Sequence, residues 1–110
     1  MSELRFLVQG SSTVPYEVTF IKDGDSLTAL CTCPAGQHGN FCKHRIAILD
    51  GDAAAISSDN AGEAAVIVDW LRGTDVEAAL GEMRRLEAST EVSKSALNAA
   101  RRKLVRAMHS

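Results

Sequence analysis

Three cysteines and two histidines fall within fourteen residues, CTCPAGQHGNFCKH, at positions 31–44. The pattern is Cys31-x-Cys33, eight intervening residues, then Cys42-x-His44. Thiolate sulfur and imidazole nitrogen are the usual ligands of tetrahedral zinc, and closed sites are built from ligand pairs at the two ends of one short loop. The spacing therefore points to one structural Zn2+ held by Cys31, Cys33, Cys42 and His44. His38 is the alternative fourth ligand, because Cys31 or Cys33 with His38 and Cys42 comes near a zinc-knuckle spacing without matching it. A catalytic Cys42–His44 pair would need a low-pKa thiol held near a base, with a cleft and an oxyanion site. The other two cysteines make both residues better read as ligands, and a filled zinc shell leaves no position for water. The chain is expected not to be an enzyme. A redox switch, in which oxidation of Cys31 and Cys33 releases zinc, is a further reading of the same residues.

The flanking sequence shows how the donors could converge. Leu4, Phe6 and Val8 alternate with Arg5, Leu7 and Gln9, and Tyr16, Val18 and Phe20 alternate with Glu17, Thr19 and Ile21. This period of two suits half-buried strands. Residues 10–15 form a polar connection containing Gly and Pro, Asp23-Gly24 is a tight-turn signal, and residues 26–31 return as a third strand. The expected unit is a three-stranded antiparallel meander. Strand periodicity would point residues 31 and 33 to the same side. Residues 31–40 contain Pro34, Gly36 and Gly39 and read as a loop, and residues 41–50 as a short helix ending at Gly51. Two residues turn a helix by about 200°, so Cys42 and His44 cannot both face one ion from mid-helix. Cys42 belongs at the helix start and His44 in its first turn. Three thiolates and a divalent ion leave a net charge of about −1, which Lys43 and Arg45 could offset.

Cys-x-Cys, a variable loop and Cys-x-His, placed after a β-hairpin and before a helix, resemble the SWIM zinc-finger family. The resemblance covers about residues 16–49, roughly a third of the chain, with Pro34 after the second cysteine and Ile46, Ile48 and Leu49 after the histidine also similar. It implies strands followed by a helix around one zinc, and a partner that is DNA or protein. Its members are mostly small domains inside larger proteins, and no catalytic domain accompanies the motif within these 110 residues.

The remaining half reads as helical. Asn60 with Glu63 and Thr74 with Glu77 have the spacing of capping boxes, for helices over 61–72 and from 75 to about Leu86. The first is apolar almost all round from Val66 to Leu71, a pattern that suits burial on several sides or a homo-oligomer interface. A final helix starts at Ser89 or Thr90 and lines Leu97, Ala100, Leu104 and Met108 along one side. The fold class is α+β: an N-terminal meander with a zinc loop and helix, then about three helices. As domains this gives a zinc-binding unit over 1–51, a linker over 52–60 and a helical region over 61–110.

Charge is unevenly distributed. Residues 50–91 hold ten acids and three bases, whereas 92–110 hold five bases and no acid. Lys94, Arg101, Arg102, Lys103 and Arg106, with Lys43 and Arg45 near the zinc, are the candidate contacts for nucleic acid or an acidic partner. Nucleic-acid binders of this size tend to be basic, and the net charge here is −2. The sequence thus favours a zinc-stapled module that contacts protein, with nucleic-acid binding as the alternative. The odd cysteine count fits a reducing cytoplasm better than a disulfide framework. The N-terminal residues carry neither a cleavage-site pattern nor a long apolar run, so no membrane association is expected.

Overall fold

The computed structural model describes residues 1–10, 13–39, 41–88 and 94–109. Strands β1 (Ser2–Val8), β2 (Tyr16–Asp23) and β3 (Ser26–Cys31) form an antiparallel sheet in that order. The alternating pattern is realised. Phe6, Val18 and Cys31 lie in register on one face, beside Leu4, Phe20 and Ala29. Of these, only Leu4 is not fully buried. Phe6 and Phe20 meet edge to face at 6.1 Å, the arrangement that aromatic quadrupoles favour. The β2–β3 turn is closed by Gly24, whose φ of +57° L-residues rarely adopt.

Among the described residues five helices follow: α1 (Pro34–Gln37), α2 (Lys43–Leu49), α3 (Ala64–Leu71), α4 (Asp75–Ala88) and α5 (Lys94–Met108). A 3-10 turn over Ala61–Glu63 leads into α3. The architecture is α+β, as expected, with the helices on the apolar face of the sheet: α2, α4 and α5 all pack against β3. The expected start of the last helix at Ser89 or Thr90 lies outside the described residues. Its expected inward side holds, with Ala100, Leu104 and Met108 buried and Val105 joining them.

Several local expectations need correction. Residues 34–37 make one α-helical turn rather than open loop, because Pro34 pre-sets the backbone and the Cys33 sulfur caps the Gly36 amide. Asn60 stands at the N-cap of the 3-10 turn, but its side chain makes no capping bond. Its amide donates to the Arg5 carbonyl at 2.7 Å, so it fastens the segment to β1 instead. The segment around it runs along the open edge of β1. Gln9 donates to the Ala55 carbonyl, Ser57 to the Leu7 carbonyl, and Leu7 donates to the Ser58 hydroxyl. An edge strand covered in this way offers no template for pairing with another chain. Helix α3 buries a single stripe, Ala64, Ile67 and Leu71, and leaves Val66 exposed.

The Thr74–Glu77 cap does form, with one adjustment. Thr74 Oγ1 accepts from the Glu77 amide at 3.2 Å, while the Glu77 carboxylate takes the Gly73 amide one residue early. The Thr74 hydroxyl and its amide both donate to the Leu71 carbonyl, which ties the start of α4 to the end of α3.

Candidate metal centre

The sheet delivers the first donor. Cys31 ends β3 opposite Val18, with its side chain on the buried face. Just beyond it, Thr32 donates its amide to the Glu17 carbonyl at 3.0 Å, and its hydroxyl receives the Glu17 amide at 2.8 Å. That reciprocal pair fixes the direction in which the chain leaves the sheet. Cys33 is therefore not a strand residue facing the same way as Cys31, as simple alternation would have it. It is the N-cap of α1.

Cys33 and Cys42 play matching roles. Each has extended backbone and stands immediately before a short helix. The Gly36 amide donates to Cys33 Sγ at 3.3 Å, and the Cys33 amide to Cys31 Sγ at 3.5 Å. N–H donors aimed at sulfur favour its ionised form. His44 follows in the first turn of α2, the junction placement that the two-residue spacing demands.

The four donor atoms lie within 4.8 Å of one another. Cys33 Sγ is 3.4 Å from Cys42 Sγ, and His44 Nδ1 is 3.6 Å from Cys42 Sγ and 3.8 Å from Cys31 Sγ. Ideal zinc bonds of about 2.3 Å to sulfur and about 2.0 Å to nitrogen give tetrahedral edges of roughly 3.5–3.8 Å. The donor set therefore fits one zinc ion in both chemistry and size. Nδ1 is the histidine nitrogen that faces the sulfurs. All three cysteines are buried, and His44 is half-buried.

The sulfurs are electrostatically unequal without the ion. Hydrogen bonding from Cys31 holds the Cys42 thiol at about 4, against burial that pushes it up, and the Arg45 backbone amide lowers it further. Cys31 moves the opposite way, above the ordinary thiol range, because it keeps the shared proton and is itself partly buried. A divalent cation in this position would let Cys31 ionise as well.

Three neighbours that the ligand pattern alone did not single out complete the site. Gly36 sits against β3: a Cβ there would lie 2.9 Å from the Cys31 Cβ and closer still to the Cys31 carbonyl oxygen. Tyr16 tilts its ring over His44, with centroids 5.4 Å apart. Gly10 makes room for that ring, since a Cβ would come within 2.7 Å of it. The position of Gly36, three residues after a ligand cysteine, is a sequence signal for the first contact. The other two depend on how β1 and β2 are registered.

The other candidate residues separate clearly. His38 is exposed at the end of α1 and is not part of the donor group. Lys43 is exposed beside the site. Arg45 does not belong to a contact surface, because it is fully buried. Its Nη1 donates to the Ala29 carbonyl at 2.9 Å and lies 2.9 Å from His109 Nε2. His109, exposed just past the end of α5, thus links that end to α2. Lys103 pairs with Glu82 at 3.1 Å and Arg101 with Glu87 at 3.8 Å, which docks α5 on the acidic α4. Lys94, Arg102 and Arg106 are exposed, with no ion pair among the described residues.

No curated protein and no solved structure matches the chain. Residues 16–50, which run from the first residue of β2 to the C-cap of α2 and contain all four donors, match the family model of the SWIM zinc finger.

Proposed function

We propose that the protein is a non-catalytic interaction module in which one structural zinc holds together a surface that contacts another protein. The observation that carries this reading is the placement of the four donors. They come from the end of β3, the cap of α1, and the cap and first turn of α2. A zinc with four protein ligands has no open position for water or substrate, so its work is to join those elements. Three of the ligands, Cys33, Cys42 and His44, line a hollow of about 850 Å³ with a mainly apolar lining, in which α1 and α2, the latter with Ala47 and Ile48, face Val8 of β1, Tyr16 of β2 and Ile56. An apolar concavity whose shape depends on the ion suits a protein contact better than a phosphate backbone. The burial of Arg45 and the pairing of Lys103 with Glu82 remove two of the seven bases that nucleic-acid binding would use.

The test is crosslinking in the host, with the captured proteins identified for three forms of the chain. Cys42→Ser is expected to lose zinc and the captured set together. Ala47→Glu is expected to keep zinc and lose the set, because it places a charge in the hollow. Arg72→Glu, at the exposed end of α3, is expected to change neither. A captured set that survives Ala47→Glu contradicts the reading.

A further inference from the structure

We propose that the face of α5 nearest the zinc loop is a binding site for a phosphomonoester dianion, built from Arg101, Arg102 and Arg106. The inference does not depend on the protein-contact reading. Asn98, Arg101, Arg102 and Arg106 stand at i, i+3, i+4 and i+8 along α5, so helical periodicity brings them to one side. With Gly39 and Phe41 from the zinc loop they line a hollow of about 570 Å³. The concavity is thus made between two elements rather than on a convex helix surface, where charged residues are merely solvated.

The charge in this hollow is unbalanced. Most other arginines are paired in the structure: Arg5 with Glu3, Arg72 with Asp69, and Arg84 with Asp50. Arg102 and Arg106 have no ion pair among the described residues, although they stand four apart, where like charges on a helix repel. Among the described residues the one acid paired with the group is Glu87, at a loose 3.8 Å from Arg101. The Arg101 guanidinium lies 5.0 Å from the centre of the Phe41 ring. Its Nε is buried without a hydrogen-bond partner among the described residues. Stacking on an aromatic ring orients a guanidinium and leaves its in-plane donors for a ligand.

The chemistry selects the ligand. Guanidinium forks match tetrahedral phosphate oxygens, and a doubly charged phosphomonoester draws more from three converging arginines than a carboxylate does. A nucleic-acid backbone needs a track of cations to follow its phosphodiesters. Here the cluster is compact, and α4, which packs on α5, carries Glu87 to Arg101 and Glu82 to the neighbouring Lys103.

The test is calorimetric titration of the zinc-loaded full chain. The probes are inorganic phosphate, a phosphoserine peptide, the same peptide with glutamate in place of phosphoserine, and a DNA duplex. Saturable binding of phosphate and phosphopeptide is expected, with the glutamate peptide weaker by roughly tenfold or more. Arg102→Ala with Arg106→Ala should weaken phosphoryl binding by at least about tenfold while zinc content and melting stay unchanged. Lys94→Ala, outside the hollow, should have no effect. Equal affinities of phosphate and phosphopeptide assign a small phosphorylated molecule, and a tighter phosphopeptide assigns a modified side chain on a partner. Three results would overturn the site: no saturable phosphate binding, equal weakening by Lys94→Ala, or a duplex that binds more tightly than the phosphopeptide.

Discussion

Gly36 shows how much of a metal site rests on residues that bind nothing. Its amide reaches Cys33 Sγ at 3.3 Å, and its missing side chain lets α1 lie against the Cys31 backbone. Gly36→Ala would force α1 away from β3 and move Cys33 off its position. The expected result is a loss of about 2 kcal/mol or more in stability, together with weaker zinc retention in a chelator competition. An unchanged melting temperature with unchanged zinc affinity would contradict that assignment. The four ligands themselves were readable from type and spacing, because few other arrangements explain three cysteines and a histidine in so short a stretch. Which histidine nitrogen faces the sulfurs was not readable, since the ring packs against Tyr16 of β2 near Gly10, beyond the end of β1, and both are distant in sequence. Arg45 was misplaced for a related reason. Its charge suggests a surface role, whereas its helical position, three residues before the buried Ile48, points it inward toward Ala29 and His109.

At the scale of elements, the meander and the long helices followed from periodicity, and the short pieces did not. α1 has four residues and forms because Cys33 caps it, a tertiary cause that local propensity does not register. Asn60 has the spacing of a cap yet spends its side chain on β1, because the exposed Arg5 carbonyl on the strand edge is the better partner. The contact between α5 and α2 through His109 and Arg45 also joins residues 64 positions apart. Burial, and then the nearby Arg45 charge, hold the His109 imidazole below its ordinary 6.5. Protonation therefore favours the unfolded chain. The stabilising effect of neutral His109 is complete above about pH 6.5 and is lost as pH falls through the depressed folded-state value. Melting temperatures of the wild type and His109→Gln, followed from pH 8 down to pH 5.5, should show a steeper acid-side decline in the wild type. Parallel profiles would show that the imidazole titrates freely.

For the molecule as a whole, the zinc centre lies where the sheet hands over to the helices. Its ligands span β3 to α2, α2 packs on α3, and β3 receives α4 and α5. A core of Phe6, Phe20, Leu27, Ile67, Met83 and Leu104 runs through both halves. Removing the ion should therefore loosen the first half most and leave the α4–α5 pair the better ordered part. The charge asymmetry of the sequence finds its use here, since the basic final helix lies against the acidic α4. The central claim is a single zinc bound by three sulfurs and one imidazole nitrogen. Zinc-edge X-ray absorption on the purified chain, with metal content measured on the same sample, tests it most directly. The account predicts one zinc per chain, with three sulfur neighbours at about 2.3 Å and one nitrogen at about 2.0 Å. The His44→Ala variant should lose the nitrogen neighbour and the His38→Ala variant should keep it. Oxygen neighbours in the wild type, or a nitrogen signal that disappears with His38 instead, would contradict the account.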